Sequence, residues 1–199
     1  MNTFKNIAKK ILLGYLLLWC IAQLLSPYLT FDLSDSEIND EFAHLPFRLQ
    51  HHTILVQNRP VHYVSIGNDS LPVALLIHGS PGAWGAFVDV MQDTSLLKRF
   101  QLVVVDRIGF GQSDLGNAEA SIQKQVQFIA PVLHTYHAKG LPIVVVGHSL
   151  GAAVAVRTAI DYPALVNGIV LVAGAVSPSL ESDERWFRIP LQSIPHSLS

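Results

Sequence analysis

Val144-Val145-Val146-Gly147-His148-Ser149-Leu150-Gly151 is the stretch on which the reading of this chain turns. A run of β-branched residues ends in Gly-x-Ser-x-Gly, and an Ala-rich stretch, Ala152 to Ile160, follows. That order describes a strand turning sharply into a helix with a serine at the corner. At such a corner Ser149 sits on a strained backbone with its hydroxyl exposed at the top of a sheet. Glycine at 147 and 151 fits because strand and helix crowd a bend this tight and leave no room for a Cβ. Ser149 is the candidate nucleophile, and a nucleophile needs a base.

Outward from this corner the chain alternates. Val73-Ala74-Leu75-Leu76-Ile77, Leu102-Val103-Val104-Val105, Ile143 to Val146 and Ile169-Val170-Leu171-Val172 are continuous apolar runs. Such runs are expected of parallel strands covered on both faces. Helical stretches lie between them at Trp84 to Met91, Ser121 to His137 and Leu150 to Tyr162, and Pro131 is expected to kink or divide the second. Upstream, Thr53 to Val56 and Val61 to Ile66 flank Gln57-Asn58-Arg59-Pro60, the pattern of an antiparallel hairpin. The expected architecture is α/β: a mostly parallel sheet with helices on both faces after an N-terminal β-hairpin, preceded by a transmembrane helix. The organisation read from this is a signal anchor at 1–30, a linker at 31–50, the core at 51–180, and the start of a lid or a tail at 181–199.

Sites in parallel α/β sheets gather at the carboxyl ends of the strands. Three motifs fall there: His78-Gly79-Ser80-Pro81-Gly82 after Ile77, Asp106-Arg107-Ile108-Gly109-Phe110-Gly111-Gln112-Ser113-Asp114 after Val105, and the serine corner. With these three in this order, residues 50 to 180 resemble the α/β-hydrolase superfamily. The resemblance implies that Ser149 attacks an ester, thioester or amide carbonyl of a small-molecule acyl substrate. It also implies an oxyanion hole made by the backbone N–H groups of Ser80 and of Leu150, the residue after the nucleophile. Such donors stabilise the charge built up in acyl transfer, each worth about 3–4 kcal/mol. His78, Gly79, Gly82, Asp106, Gly147, His148 and Gly151 are read as support for these loops. Serine at 149 speaks against the haloalkane dehalogenases and epoxide hydrolases, which use aspartate there. The loop at 78–82 resembles that of the proline iminopeptidases except at Ser80, so carboxylester hydrolysis is the broader reading.

In this family the acid and then the histidine follow the serine. His196 is the only histidine after Ser149, with Glu181 and Asp183 the nearest carboxylates past the last apolar run. The expectation is a chain cut short of its acid and base. The alternative is a catalytically silent, membrane-tethered remnant or binding domain.

Lys5, Lys9 and Lys10 precede an apolar run from Ile11 that, extended to Leu29, would span about 28 Å as a helix. No small-x-small cleavage site follows, so a single-pass anchor with the rest of the chain on the non-cytoplasmic side is expected, secretion after cleavage being the alternative. A net charge of −2 argues against nucleic acid, and the single cysteine, Cys20, against a disulfide framework or Cys-rich zinc site. No cofactor is expected, since Asp114 stands where a dinucleotide loop starting at Gly109 would need its third glycine. No metal is expected either: His134 and His137 read as a solvated helix face, and His51, His52 and His62 as surface residues of the hairpin. Ser65, Ser95, Ser113 and Ser121 read as turn or cap residues.

Overall fold

The computed structural model describes residues 41–174 together with Gly14, Leu17, Leu18 and Ile21. The chain divides into two units, 1–41 and 42–199, and the second holds every element discussed below. Apart from those four residues the expected membrane helix, together with the first half of the linker and the segment from 181, lies outside the described residues. Among the described residues no helix is long and apolar enough to cross a membrane.

Six strands form one sheet: β1 (Gln50–Val56), β2 (Arg59–Ile66), β3 (Val73–Ile77), β4 (Gln101–Val105), β5 (Ile143–His148) and β6 (Gly168–Val172). Their spatial order is β1-β2-β4-β3-β5-β6. β1 and β2 are antiparallel to their neighbours, while β4, β3, β5 and β6 run parallel. The hairpin closes on two residues rather than four. Gln57 and Asn58 carry φ angles of 51° and 61°, the left-handed pair whose twist matches that of two antiparallel strands. Arg59 and Pro60 are thereby freed to pair with Val56 and Leu55.

A 3-10 turn (Trp84–Phe87) leads into α1 (Val88–Met91), followed by α2 (Thr94–Leu97), α3 (Ile122–His137) and α4 (Leu150–Asp161). Asp93 caps α2 by accepting the N–H groups of Ser95 and Leu96, and Ser121 caps α3 by accepting that of Lys124. Ser95 therefore lies inside a first turn rather than at a cap, and Ser65 lies inside β2. α3 remains one helix through Pro131. Proline removes a single N–H bond, while Val126, Ile129, Val132, Leu133 and Tyr136 are buried on both sides of it.

Successive strand residues point to opposite faces. Val73, Leu75, Ile77, Val103 and Val105 meet the buried side of α3 and Val154 and Ala155 of α4 in one cluster. Leu76, Leu102 and Val104 point the other way, where Met91 and Leu97 are also buried and α2 packs on β4. Both faces of the central strands are thus covered. β6 is different: Ile169 to Val172 are 43, 47, 38 and 46% exposed.

Candidate active site

β5 ends at His148, and α4 begins at Leu150, so the whole change of direction falls on Ser149. Its φ and ψ are 52° and −122°, a conformation an L-residue reaches only under strain. Neighbouring contacts hold it there. A Cβ at Gly147 would be driven into the backbone of Gly151 and Ala152, and one at Gly151 into the carbonyl oxygens of Ile77 and His78. Any side chain at either glycine would push the helix off the strand. The Ser149 N–H donates to Val172 O at 2.9 Å, tying the corner to β6. Leu150 occupies the first position of α4, where the N–H groups have no partner within the helix.

The loop after β3 lies against this corner: a methyl added at Gly79 would come within 2.9 Å of Ser149 Cβ. Its conformation is set from beneath. His78 is fully buried, its Nδ1–H donating to Gly79 O at 2.8 Å and its Nε2 accepting the Arg107 N–H at 2.9 Å. Burial pushes the His78 pKa down to about 4, helped by the Arg107 charge and opposed by the Gly79 hydrogen bond and Asp106. The neutral ring with its proton on Nδ1 is the one form that makes both bonds. Arg107 adds a second donor to Gly79 O, its Nη2 at 2.7 Å, while Nη1 bonds Gln125 Oε1 at 2.9 Å. Burial lowers the Arg107 pKa as well. C=O and N–H of a trans peptide point in opposite directions. Two donors holding the Gly79 oxygen in the interior therefore turn the Ser80 N–H outward, where Ser80 is exposed.

Asp106 clamps the remaining loop. Fully buried, it accepts the Trp84 N–H on Oδ1 at 2.7 Å, and the Gln112 N–H and His62 Nδ1–H on Oδ2 at 3.0 and 2.8 Å. Ser113 Oγ accepts the His62 N–H and donates to Asp106 O, both at 2.8 Å. This corrects two expectations: Ser113 is an internal bracket, and His62, 1% exposed, is a buried partner of Asp106 rather than a surface residue. β2 is an interior strand flanked by β1 and β4, so a polar side chain there must find a polar mate. His51 continues the chain, its Nδ1 standing 3.2 Å from His62 Nε2.

The structure thus brings Ser149, Gly79, Gly147 and Gly151 together and stacks His78, Arg107 and Asp106 under them. His148 is exposed at the end of β5. Among the described residues no imidazole is hydrogen-bonded to the Ser149 hydroxyl, and both His78 nitrogens are engaged elsewhere. Glu181, Asp183 and His196 lie outside the described residues. His134 and His137 are exposed, and no metal-binding cluster occurs among the described residues. Sequence reasoning placed Arg107 in the loop motif without a role of its own and missed Gln125, Trp84 and His62, which are joined to the site by long-range contacts. The burial expected of an interior strand was the available signal for His62.

Comparison with known proteins bears on this arrangement. The family model for the alpha/beta hydrolase fold matches residues 72–196. An uncharacterized protein of Mycobacterium tuberculosis is 32% identical over 126 residues, covering 61% of this chain and 35% of that protein. The pimeloyl-[acyl-carrier protein] methyl ester esterase of Shewanella oneidensis is 29% identical over 140 residues, covering 68% of this chain and 46% of the esterase. A bacterial membrane phospholipase A superposes with a TM-score of 0.59 at 23% identity, over 84% of this chain and 52% of that one. The chain spans less than half the length of the two relatives named first.

Proposed function

The chain belongs to the alpha/beta hydrolase family, and from that premise we propose that it is a serine hydrolase acting on carboxylic esters, with Ser149 as nucleophile. The observation that carries this is the strained Ser149 at the β5–α4 corner, seated against Gly79 of a loop whose carbonyl is held from below. The esterase named above supports the substrate class.

In the reaction, Ser149 Oγ attacks the carbonyl carbon and gives its proton to a base. The carbonyl oxygen becomes an oxyanion held by the N–H groups of Ser80 and Leu150. Collapse expels the alcohol, which takes up that proton, and leaves an acyl-serine. Water, deprotonated by the same base, then attacks the acyl-serine; the C–Oγ bond breaks, the acid leaves and Ser149 Oγ takes the proton back from the base. The base and its acid come from outside the described residues. Preorganisation of the Ser80 donor is what the His78 and Arg107 contacts contribute, because a donor already in place costs no reorganisation as charge develops.

A second reading is a silent, membrane-tethered binding domain. Membrane attachment through the apolar run from Ile11 to Leu29, with the hydrolase part on the non-cytoplasmic side, belongs to either reading. It is tested by whether the full chain stays in the membrane pellet at alkaline pH. The catalytic reading is tested with short-chain p-nitrophenyl esters. Turnover that falls at least about 10³-fold in Ser149→Ala is expected, and equal rates for the two proteins would favour the silent domain.

A further inference from the structure

The loop that carries Ser80 is tied to the rest of the fold through Arg107, and the Arg107 side chain has a support of its own. Gly79 O accepts from His78 Nδ1 at 2.8 Å and from Arg107 Nη2 at 2.7 Å. The His78 bond joins neighbouring residues, and its ring is fixed by the Arg107 backbone N–H, which no side-chain rotation disturbs. The guanidinium is the adjustable half of the clamp.

Arg107 is 1% exposed, the Phe110 ring lies over its guanidinium at 4.5 Å, and Nε has no partner among the described residues. An aromatic face restrains the height of the guanidinium plane but not rotation within it. That rotation is set by Nη2 at Gly79 O and by Nη1, which donates to Gln125 Oε1 at 2.9 Å.

Gln125 is itself held at every point. It lies in the first turn of α3, its N–H donating to Ser121 O at 2.9 Å, with Val126 and Ile129 beside it buried in the core. The side chain is 4% exposed, and its Nε2 donates to Glu119 O at 2.6 Å. A guanidinium only donates and a carbonyl only accepts, so a single orientation of the amide satisfies both ends.

Resting on the serine-hydrolase reading, we propose that Gln125 is a positioning residue of the reaction: it aims the Arg107 guanidinium at Gly79 O and so keeps the Ser80 N–H turned toward the developing oxyanion. Gln125 touches no reacting atom. Its effect falls on the transition state, because the Ser80 N–H meets full negative charge only as the carbonyl oxygen becomes an oxyanion. A carboxylate at 125 would still accept from Nη1 and would lose only the Glu119 contact. Leucine, of similar size, loses both contacts and leaves Nη1 buried without an acceptor.

The test compares the full chain with its Gln125→Leu and Gln125→Glu variants on p-nitrophenyl butyrate and on the matching thionoester, whose sulfur accepts hydrogen bonds poorly. In Gln125→Leu, kcat for the ester is expected to fall about 10²-fold with KM within about twofold. The rate advantage of the ester over the thionoester is expected to shrink with it, and Gln125→Glu to restore most of both. If Gln125→Leu does not fold, Gln125→Asn, one methylene short of Arg107, is expected to lose about tenfold in kcat in the same way. A second readout needs no turnover: the Arg107 Nη signals of the ¹⁵N-labelled chain, identified by their loss in Arg107→Lys. They are expected to be resolved in the wild type and in Gln125→Glu, and merged by rotation in Gln125→Leu. Resolved signals in Gln125→Leu, a loss carried by KM alone, or an unchanged ester-to-thionoester ratio would overturn the proposal. A wild type that turns over neither substrate would defeat the serine reading, and the Arg107 signals would still decide whether Gln125 aims the guanidinium.

Discussion

β4 and β6 are composed almost alike, Gln-Leu-Val-Val-Val and Gly-Ile-Val-Leu-Val, and they stand in opposite surroundings. Every residue of β4 is buried between β2 and β3, under α3 on one face and α2 on the other. β6 stands beyond β5 with four apolar side chains well exposed. The ends of the strands differ in the same way. β4 runs into Asp106, which gathers three donors, whereas β6 runs into Ala173 at φ 48°. An apolar run states that a strand is built to be covered on both faces; its neighbours decide whether it is. The energetic centre of the described fold is therefore expected at β3, β4 and the loops that follow them.

The contrast breaks most visibly at Asp106. Asp106→Ala leaves His62 and the Trp84 and Gln112 N–H groups buried without their acceptor. Loss of about 3–5 kcal/mol is expected in urea unfolding, against less than about 1 kcal/mol for Val172→Ala on the exposed strand. Similar losses at the two positions would mean that the clamp is not what fixes the loops.

Acid separates the regions without mutation, since β6 carries no titratable side chain. The His78 pKa is about 4 in the fold, below the ordinary 6.5. Between those values the unfolded chain binds more protons than the folded one. The contribution is whole above about pH 6.5 and shrinks as pH falls toward 4, by about 3 kcal/mol in all. A urea midpoint measured across that interval is expected to drop, and to drop less steeply in His78→Asn. A flat profile would remove the neutral, doubly bonded ring from the account.

A matched leucine pair sharpens the comparison further. Leu102, 1% exposed in β4, and Leu171, 38% exposed in β6, differ in cover rather than in chemistry. Replacement by alanine is expected to cost about 2–5 kcal/mol at 102 and under about 1 kcal/mol at 171. A gain rather than a loss is expected at the corner itself. Ser149→Gly relieves the positive φ and is expected to raise stability by about 1 kcal/mol, the sign expected where strain is held for function.

What was legible in the sequence was local. The four continuous apolar runs, the glycines bracketing Ser149 and the loops at His78 and Asp106 each announce themselves within a few residues, because strand burial and tight turns impose short-range rules. His62 was read as a surface histidine because its partner, Asp106, lies far along the chain and is reached only through the antiparallel pairing of β2 with β4. The hold of Arg107 on Gly79 O is hidden because the two residues lie far apart along the chain. α2 is a single turn whose cap, Asp93, carries too little periodicity to stand out.

The most direct test of the central claim, that Ser149 is a built and activatable nucleophile, is intact-mass analysis of the full chain after fluorophosphonate treatment, with the adduct located by peptide mapping. One adduct on Ser149, absent from Ser149→Ala, is the predicted result. No adduct, or equal labelling of both proteins, would contradict it.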